Sequence, residues 1–154
     1  MQKKISKCLV LFSGGQDSTT CLFWAKTQFD EVAALGFDYG QKHVKELEQA
    51  QKIAVVAGVE FSIIDIKGLL SGSSLTDHDK DHNAAHSQNG TLPNSFTAGR
   101  NALFLTIAAA KAYGTEIFDL VTGTCQTDFS GYPDCRRRFI DAQQLALTLA
   151  LDTD

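Results

Sequence analysis

Residues 7–22 read KCLVLFSGGQDSTTCL, in which an apolar run of strand length stops at Ser-Gly-Gly and a helical pattern begins at Ser18. Two glycines let the backbone turn sharply and approach a ligand closely. The start of the helix presents unpaired N–H groups and the positive end of the helix dipole. Ser13, Ser18 and Thr19 add hydroxyl groups that can donate hydrogen bonds. This combination predicts a loop that binds phosphate oxygens.

Asp17 is the residue of this loop that suits a phosphate least, because a carboxylate repels it. Its presence is explained if it holds a magnesium ion that the phosphates share. The sequence contains neither G-x-x-x-x-G-K-[ST] nor G-x-G-x-x-G, which disfavours kinase-type and dinucleotide-type loops. The remaining string, SGGQDS at residues 13–18, resembles the pyrophosphate loop of the ATP-pyrophosphatase (PP-loop) enzymes. An ordinary strand-to-helix turn with a serine cap is the alternative interpretation.

Size and composition indicate a single globular domain over residues 1–154, with 44% hydrophobic and 21% charged residues. A net charge of −4 argues against broad binding to a nucleic-acid backbone. We find no apolar run of membrane-spanning length and no signal-peptide core at the start of the sequence, so a cytoplasmic protein with no membrane partner is expected.

The four cysteines, at positions 8, 21, 125 and 135, form no C-x-x-C pair. This spacing favours neither a zinc knuckle nor a redox pair. Cys8 and Cys21 lie within apolar segments and are expected in the core as reduced thiols.

Hydrophobic patterning predicts strands that alternate with helices. The strands are expected at about 7–12, 32–37, 60–65 and 117–123, and the helices at about 18–28, 44–57, 101–113 and 136–151. The fold class is therefore α/β, an open parallel sheet with helices on both faces. In the common strand order 3-2-1-4, ligands bind between strands one and four, where the loops at 13–18 and 122–134 meet.

The segment from 68 to 95 breaks this regular pattern and is long for a simple connection. His78, His82 and His86 recur in it every fourth residue and, on a helix, would share one face that could bind a metal. A solvated acidic loop that covers a substrate is the favoured interpretation.

Residues 122–136 contain two carboxylates, two thiols, a phenol and an arginine. Asp128 and Asp134 could hold a metal or accept hydrogen bonds from an amino-substituted heterocycle. Phe129 and Tyr132 could stack on a flat ring. The alternative is a turn-rich loop whose aromatic side chains are half buried.

Two further segments are candidates for ligand contacts. In residues 94–101, Arg100 stands at the start of a predicted helix, where an arginine suits a carboxylate or a phosphate ligand. The alternative is a helix-capping turn with an exposed arginine. Residues 37–41 follow strand two, where adenine or ribose contacts are common in such folds. Lys42 and His43 could be catalytic, but a solvated helix start is favoured.

Four strings carry a wider resemblance: SGGQDSTTCL, FDYGQKH, GRN and TDFSGYPDCR, in this order. With them the chain resembles the 7-cyano-7-deazaguanine (preQ0) synthase family, QueC, over nearly its whole length. The resemblance implies ATP-dependent conversion of 7-carboxy-7-deazaguanine and ammonia to the nitrile in queuosine biosynthesis. The carboxylate is adenylated and attacked by ammonia to give an amide, which is activated again and dehydrated.

The resemblance also implies site residues. The ATP-binding residues are expected to be Phe12, Ser13, Gly14, Gly15, Gln16, Asp17, Ser18, Thr19, Thr20, Cys21 and Leu22, with Asp38 and Tyr39. The substrate-binding residues are expected to be Phe96, Arg100, Asn101, Thr127, Asp128, Phe129, Tyr132 and Asp134. The catalytic candidates are Asp17, Ser18, Arg100 and Asp128, and Asp17 is the expected magnesium ligand through ATP.

Three features depart from the family pattern. Ala98 stands where proline is usual before Gly-Arg-Asn, and Gln126 stands where glutamate is frequent. The family's carboxyl-terminal cluster of four zinc-binding cysteines would begin after Asp154, so no zinc ligands are expected in this chain, which is then a fragment or a shortened relative.

Several alternatives stay open at this stage. One is a relative that stops at the amide or adenylates another carboxylate, and another is a nucleotide-binding module without catalysis. A PP-loop enzyme that thiolates tRNA is disfavoured, because a tRNA partner favours a more basic surface. A homodimer is left open.

Overall fold

The computed structural model describes residues 5–40, 44–70, 96–126 and 131–153. The strands are β1 (Lys7–Leu11), β2 (Glu31–Asp38), β3 (Glu60–Asp65) and β4 (Asp119–Val121). The helices are α1 (Gln16–Gln28), α2 (Val44–Ala57), α3 (Arg100–Tyr113) and α4 (Arg137–Leu151), with a single 3-10 turn at Pro133–Cys135.

The four strands form one parallel sheet in the order β3-β2-β1-β4. In the register, Cys8 of β1 lies between Val32 of β2 and Asp119 of β4. Strands β2 and β3 are therefore added on one side of β1, and β4 is added on the other side. The predicted fold class and strand order are confirmed, and the loops that follow β1 and β4 emerge side by side.

Both faces of the sheet are covered, which explains the nearly continuous apolar runs of β1 and β2. Successive side chains of a strand point to opposite faces. On the face of α1 and α2, the core consists of Cys8, Val10, Phe12, Leu22, Ala25, Ala34, Ala50, Ala54 and Ala57. On the face of α3, it consists of Leu9, Leu35, Phe37, Ile66, Leu70, Ala108 and Ala112.

Two element boundaries differ from the prediction for identifiable reasons. Helix α1 begins at Gln16 rather than at Ser18, because Gly15 occupies the N-cap with extended backbone and no side-chain cap. Strand β4 is shorter than predicted at its start, because the N–H of Ile117 still donates to Ala112 O in the turn that ends α3. The segment with His78, His82 and His86 lies outside the described residues.

None of the helices in the described ranges is both long enough and apolar enough to cross a lipid bilayer.

Candidate active site

The loop after β1, residues 13–18, is called the phosphate loop below; its two serine hydroxyls hold it in shape. Ser18 Oγ donates to Gly15 O at 3.0 Å and accepts from the N–H of Ser13 at 3.3 Å. Ser13 Oγ lies 3.2 Å from Ser18 Oγ and accepts from the N–H of Gly15 at 3.3 Å. Two of the three hydroxyls predicted to donate to a phosphate, those of Ser13 and Ser18, are thus engaged within the loop, and the contact of any of the three with a phosphate stays a prediction.

Gly14 shows why this loop needs a glycine. Its φ of 81° lies in the left-handed region, and a Cβ at this position would stand 3.0 Å from the backbone of Ala50 in α2. A side chain would therefore be strained and would also clash with the second helix. The loop lies directly against α2 and is fixed there by close backbone packing.

The first turn of α1 is open toward a ligand. Gly15 at its N-cap supplies no side-chain acceptor, so the helix start keeps donor capacity that a capping side chain would otherwise use. Asp17 lies exposed in this turn. Among the described residues we find no hydrogen bond or ion pair to its carboxylate, which fits a ligand for Mg²⁺ shared with phosphates.

The loop after β4 contacts the phosphate loop, as the sequence predicted. A Cβ on Gly123 would stand 3.0 Å from the carbonyl carbon of Asp17 and 3.1 Å from the N of Ser18. The two segments approach closely because Gly123 has no side chain between them.

A cavity of about 430 Å³ lies over the carboxyl ends of β1, β2 and β4. Its volume is in the range of small-molecule sites. Of the predicted ATP-binding residues, those that line it are Phe12, Ser13, Gly15, Gln16, Asp17, Ser18 and Tyr39. Of the predicted substrate-binding residues, Arg100, Asn101 and Tyr132 do so.

The remaining residues of the predicted ATP segment after the phosphate loop do not line this cavity. Leu22 is completely buried in the core, and Cys21 packs against the same core. Burial, followed by the charge of Asp17, raises the pKa of Cys21. Thr20 Oγ1 donates to Gln16 O at 3.0 Å, and Thr19 Oγ1 is buried with no hydrogen-bond partner among the described residues.

Aromatic rings form the other end of the cavity, called the aromatic end below. Phe37 and Phe104 stack with centroids 4.3 Å apart and planes 8° apart, and Tyr39 lies 5.5 Å from Phe104. Tyr132 also lines the cavity and packs on Phe96, with centroids 5.5 Å apart. Flat rings in such an arrangement suit a flat heterocyclic ligand.

Arg100 brings a positive charge to the aromatic end. It is the first residue of α3 and follows Gly99, whose φ of 71° turns the chain into the helix. Its guanidinium acts on the Tyr39 phenol, which lines the same cavity. Burial raises the pKa of the Tyr39 phenol. The charge of Arg100 lowers this pKa in part, and the charge of Glu46 raises it.

Asp134 contacts the start of α3 and does not line the cavity. Its carboxylate is buried and accepts a hydrogen bond from the N–H of Asn101 at 3.0 Å. The Asn101 side chain donates in return to Asp134 O and to Cys135 Sγ, each at 3.3 Å. The 3-10 turn is thereby fastened to the start of α3 beside Arg100. A substrate contact by Asp134 stays a prediction.

Asp38 joins the ends of β2 and β3. Its carboxylate accepts from the N–H of Gly40 at 3.2 Å and pairs with Lys67 at 2.6 Å. Lys67 also pairs with Asp65 at 2.9 Å. Asp38 does not line the cavity, and a contact with ATP stays a prediction.

Some predicted residues lie outside the described ranges: Thr127, Asp128, Phe129, Lys42 and His43. In the same loop, Gln126 Oε1 accepts from the N–H of Arg137 at 2.8 Å. An amide oxygen therefore accepts from the first N–H of α4.

Among the cavity residues that the sequence analysis did not name, Glu46 and Phe104 bring a carboxylate and an aromatic ring. Phe104 lies one helical turn after Arg100, so a helical projection from Arg100 would have found it. Glu46 lies in the first turn of α2, at the carboxyl end of β2, where the same topological rule that located the phosphate loop applies. We find no group of three His, Cys, Asp or Glu side chains that could hold a metal ion in the described parts of the chain.

Comparison with known proteins identifies the family of this chain. The family described as "Queuosine biosynthesis protein QueC" matches residues 7–154. The chain belongs to the QueC family. A 7-cyano-7-deazaguanine synthase of Phocaeicola vulgatus is 54% identical over 149 residues, which are 96% of this chain and 66% of the relative. One of Staphylococcus saprophyticus is 46% identical over 151 residues, 97% of this chain and 66% of the relative.

Solved structures show the same fold at low identity. A protein from Methanocaldococcus jannaschii described as a predicted subunit of tRNA methyltransferase has a TM-score of 0.51 at 12% identity, over 94% of this chain and 65% of its own. The U34-tRNA thiolase NcsA of Methanococcus maripaludis, solved with its [4Fe-4S] cluster, has a TM-score of 0.51 at 17% identity, over 80% of this chain and 39% of its own. These identities support the fold alone.

Proposed function

We propose that this QueC-family chain carries the ATP site of a 7-cyano-7-deazaguanine synthase and forms the nitrile from 7-carboxy-7-deazaguanine, ammonia and ATP. The observation that carries the proposal is one cavity with a phosphate loop at one end and Arg100 among aromatic rings at the other. Such a cavity can hold the triphosphate and a flat carboxylic acid side by side. The chain spans about two thirds of the length of the relatives named above, so the activity of the whole protein is part of the proposal.

The chemistry needs a better leaving group on the acid, because a carboxylate is a poor electrophile. A carboxylate oxygen attacks the α-phosphorus of ATP. Pyrophosphate leaves, and the acyl-adenylate is formed. Ammonia then displaces AMP and gives the amide. The amide oxygen is adenylated by a second ATP with loss of pyrophosphate, and loss of AMP and a proton leaves the nitrile.

The described residues suit these steps. The open first turn of α1 and the backbone N–H groups of the phosphate loop would hold the phosphates while negative charge develops on the leaving pyrophosphate. Arg100 would orient the acid by a charged hydrogen bond to its carboxylate. Asp17 would hold Mg²⁺, which, when bound, neutralises phosphate charge.

Other parts of the proposal rest on the family resemblance. Asp128 and Ser18 as catalytic groups, a homodimer, the absence of a direct nucleic-acid partner and a cytoplasmic location all stay predictions. A zinc site is expected in the full-length family, and no step proposed here uses it.

The direct test is incubation of the chain with ATP, Mg²⁺, ammonium and 7-carboxy-7-deazaguanine, followed by mass spectrometry. The full-length Phocaeicola vulgatus relative is the positive control, and Asp17→Asn is the variant that should lose turnover while its unfolding curve is unchanged. We expect the nitrile together with AMP and pyrophosphate. Amide alone would favour a relative that stops at the first product. ATP binding without any pyrophosphate release would favour a non-catalytic nucleotide-binding module.

A further inference from the structure

Glu46 is a charged cavity residue with no assigned role in the chemistry above. Of the described residues that line the cavity, Asp17 and Glu46 are the two that carry a carboxylate. Asp17 belongs to the phosphate loop, whereas Glu46 lies in the first turn of α2. Glu46 lines the cavity together with Tyr39, Arg100 and Phe104, and its charge acts on the Tyr39 phenol.

We infer that Glu46 recognises the amino-pyrimidinone edge of the deazaguanine ring, a specificity role that rests on the proposed function. This edge carries a ring N–H and a 2-amino group side by side, two donors that point in the same direction. The two oxygens of a carboxylate can accept both hydrogen bonds at once. Recognition of a base by its hydrogen-bonding edge, with aromatic side chains against its faces, is a recurring arrangement.

The same chemistry argues against adenine at this position. The equivalent edge of adenine has one donor, the 6-amino group, next to a ring nitrogen that accepts. A carboxylate would bind the amino group and repel the lone pair of the ring nitrogen. Glu46 therefore favours the acid substrate over the adenine of ATP as the occupant of the aromatic end.

The charges of the aromatic end match the two ends of the acid. The 7-carboxylate and the amino-pyrimidinone edge lie on opposite sides of the bicyclic ring, one negative and the other a pair of donors. Arg100 is suited to the first and Glu46 to the second. Among the described residues we find no hydrogen bond or ion pair to the Glu46 carboxylate, so none of them uses its acceptor capacity.

Of the two carboxylates that the sequence predicted for this role, Asp128 lies outside the described residues and Asp134 has a different partner. Asp134 was predicted as an acceptor for an amino-substituted heterocycle. Its carboxylate is buried and accepts from the N–H of Asn101. Glu46, in contrast, is exposed and lines the cavity, and a bound ring could reach it without breaking a contact to another described residue.

The test measures equilibrium binding of 7-carboxy-7-deazaguanine by titration calorimetry, with a non-hydrolysable ATP analogue present. Glu46→Gln should weaken binding by about tenfold or more, because a bond to a charged acceptor is lost and the amide presents a donor to a donor. Glu48→Gln is the matched control, an equal charge change on the exposed side of the same helix that does not line the cavity. It should change the dissociation constant less than about twofold.

An analogue that lacks the 2-amino group identifies the contact. It should bind the wild-type chain about tenfold more weakly, and Glu46→Gln should weaken its binding less than it weakens binding of the acid, because one of the two hydrogen bonds to Glu46 is already missing. Additive losses, equal effects of the Glu46 and Glu48 variants, or an effect confined to ATP or ammonium would overturn the inference. Turnover by the wild-type chain, measured separately as above, distinguishes such a failure from a failure of the proposed function.

Discussion

The two ends of the cavity are built in different ways. The phosphate loop is a continuous run of six residues, and its hydrogen bonds span at most five positions in the sequence. The aromatic end joins β2, α2, α3 and the 3-10 turn, and the hydrogen bond from Asn101 to Asp134 spans 33 positions. Phosphate, which many enzymes bind, can be held by a local motif. A ligand specific to one family has to be recognised by residues that only the fold brings together.

The largest effect is expected at Gly14, where the local loop depends on packing against α2. Gly14→Ala should lower the free energy of unfolding by about 2 to 5 kcal/mol, from the left-handed backbone and the contact with Ala50 together. Gly68→Ala is the control, since Gly68 has the same φ of 81° with nothing within 4 Å. It should cost only about 1 to 2 kcal/mol in urea unfolding. Equal losses in both variants would show that the contact with α2 is unimportant.

At the aromatic end, Asp134→Ala should cost about 1 to 3 kcal/mol of stability, because a buried cap of α3 is removed. Asp134→Asn keeps an acceptor oxygen and should retain most of the stability and the affinity for the acid. Thermal unfolding and calorimetry report the two properties separately. If the Asn variant is stable but no longer binds the acid, Asp134 contacts the substrate directly.

The buried phenol of Tyr39 should make the stability of the fold depend on pH in the alkaline range. Its folded pKa is raised, mainly by burial, so the folded state holds the phenol proton more tightly than the unfolded chain. The resulting stability is complete below about pH 10 and is lost as the pH rises through the folded pKa. Tyr39→Phe should cost about 1 kcal/mol near neutral pH and flatten this decline. Tyr113→Phe, at a half-exposed phenol, should leave the decline in place.

The smallest effect is expected at Gln126. A carboxylate there would accept from the N–H of Arg137 and also interact favourably with the dipole of α4. Gln126→Glu should therefore raise stability by about 0.3 to 1 kcal/mol at low salt, and the gain should shrink as salt is added. Unfolding in urea at two salt concentrations measures both. A loss of stability would show that the amide group makes a contact that the carboxylate cannot.

Sequence reasoning was most successful where the structure is local. The strand order, the phosphate loop and its contact with the loop after β4 followed from hydrophobic periodicity and one topological rule. It did not name Glu46: the topological rule points to the carboxyl end of β2, but which residue of α2 lines the cavity depends on where α2 starts relative to α3. The capping role of Asp134 was equally hidden, since its partner Asn101 is distant in sequence.

The central claim is that the phosphate loop binds the phosphates of ATP. The most direct measurement is hydrogen exchange of the backbone N–H groups, with and without a non-hydrolysable ATP analogue and Mg²⁺. We predict slower exchange at residues 13–18 and in the first turn of α1, and loss of this effect in Asp17→Asn. Nucleotide-dependent slowing elsewhere in the chain, with exchange in the phosphate loop unchanged, would contradict the account.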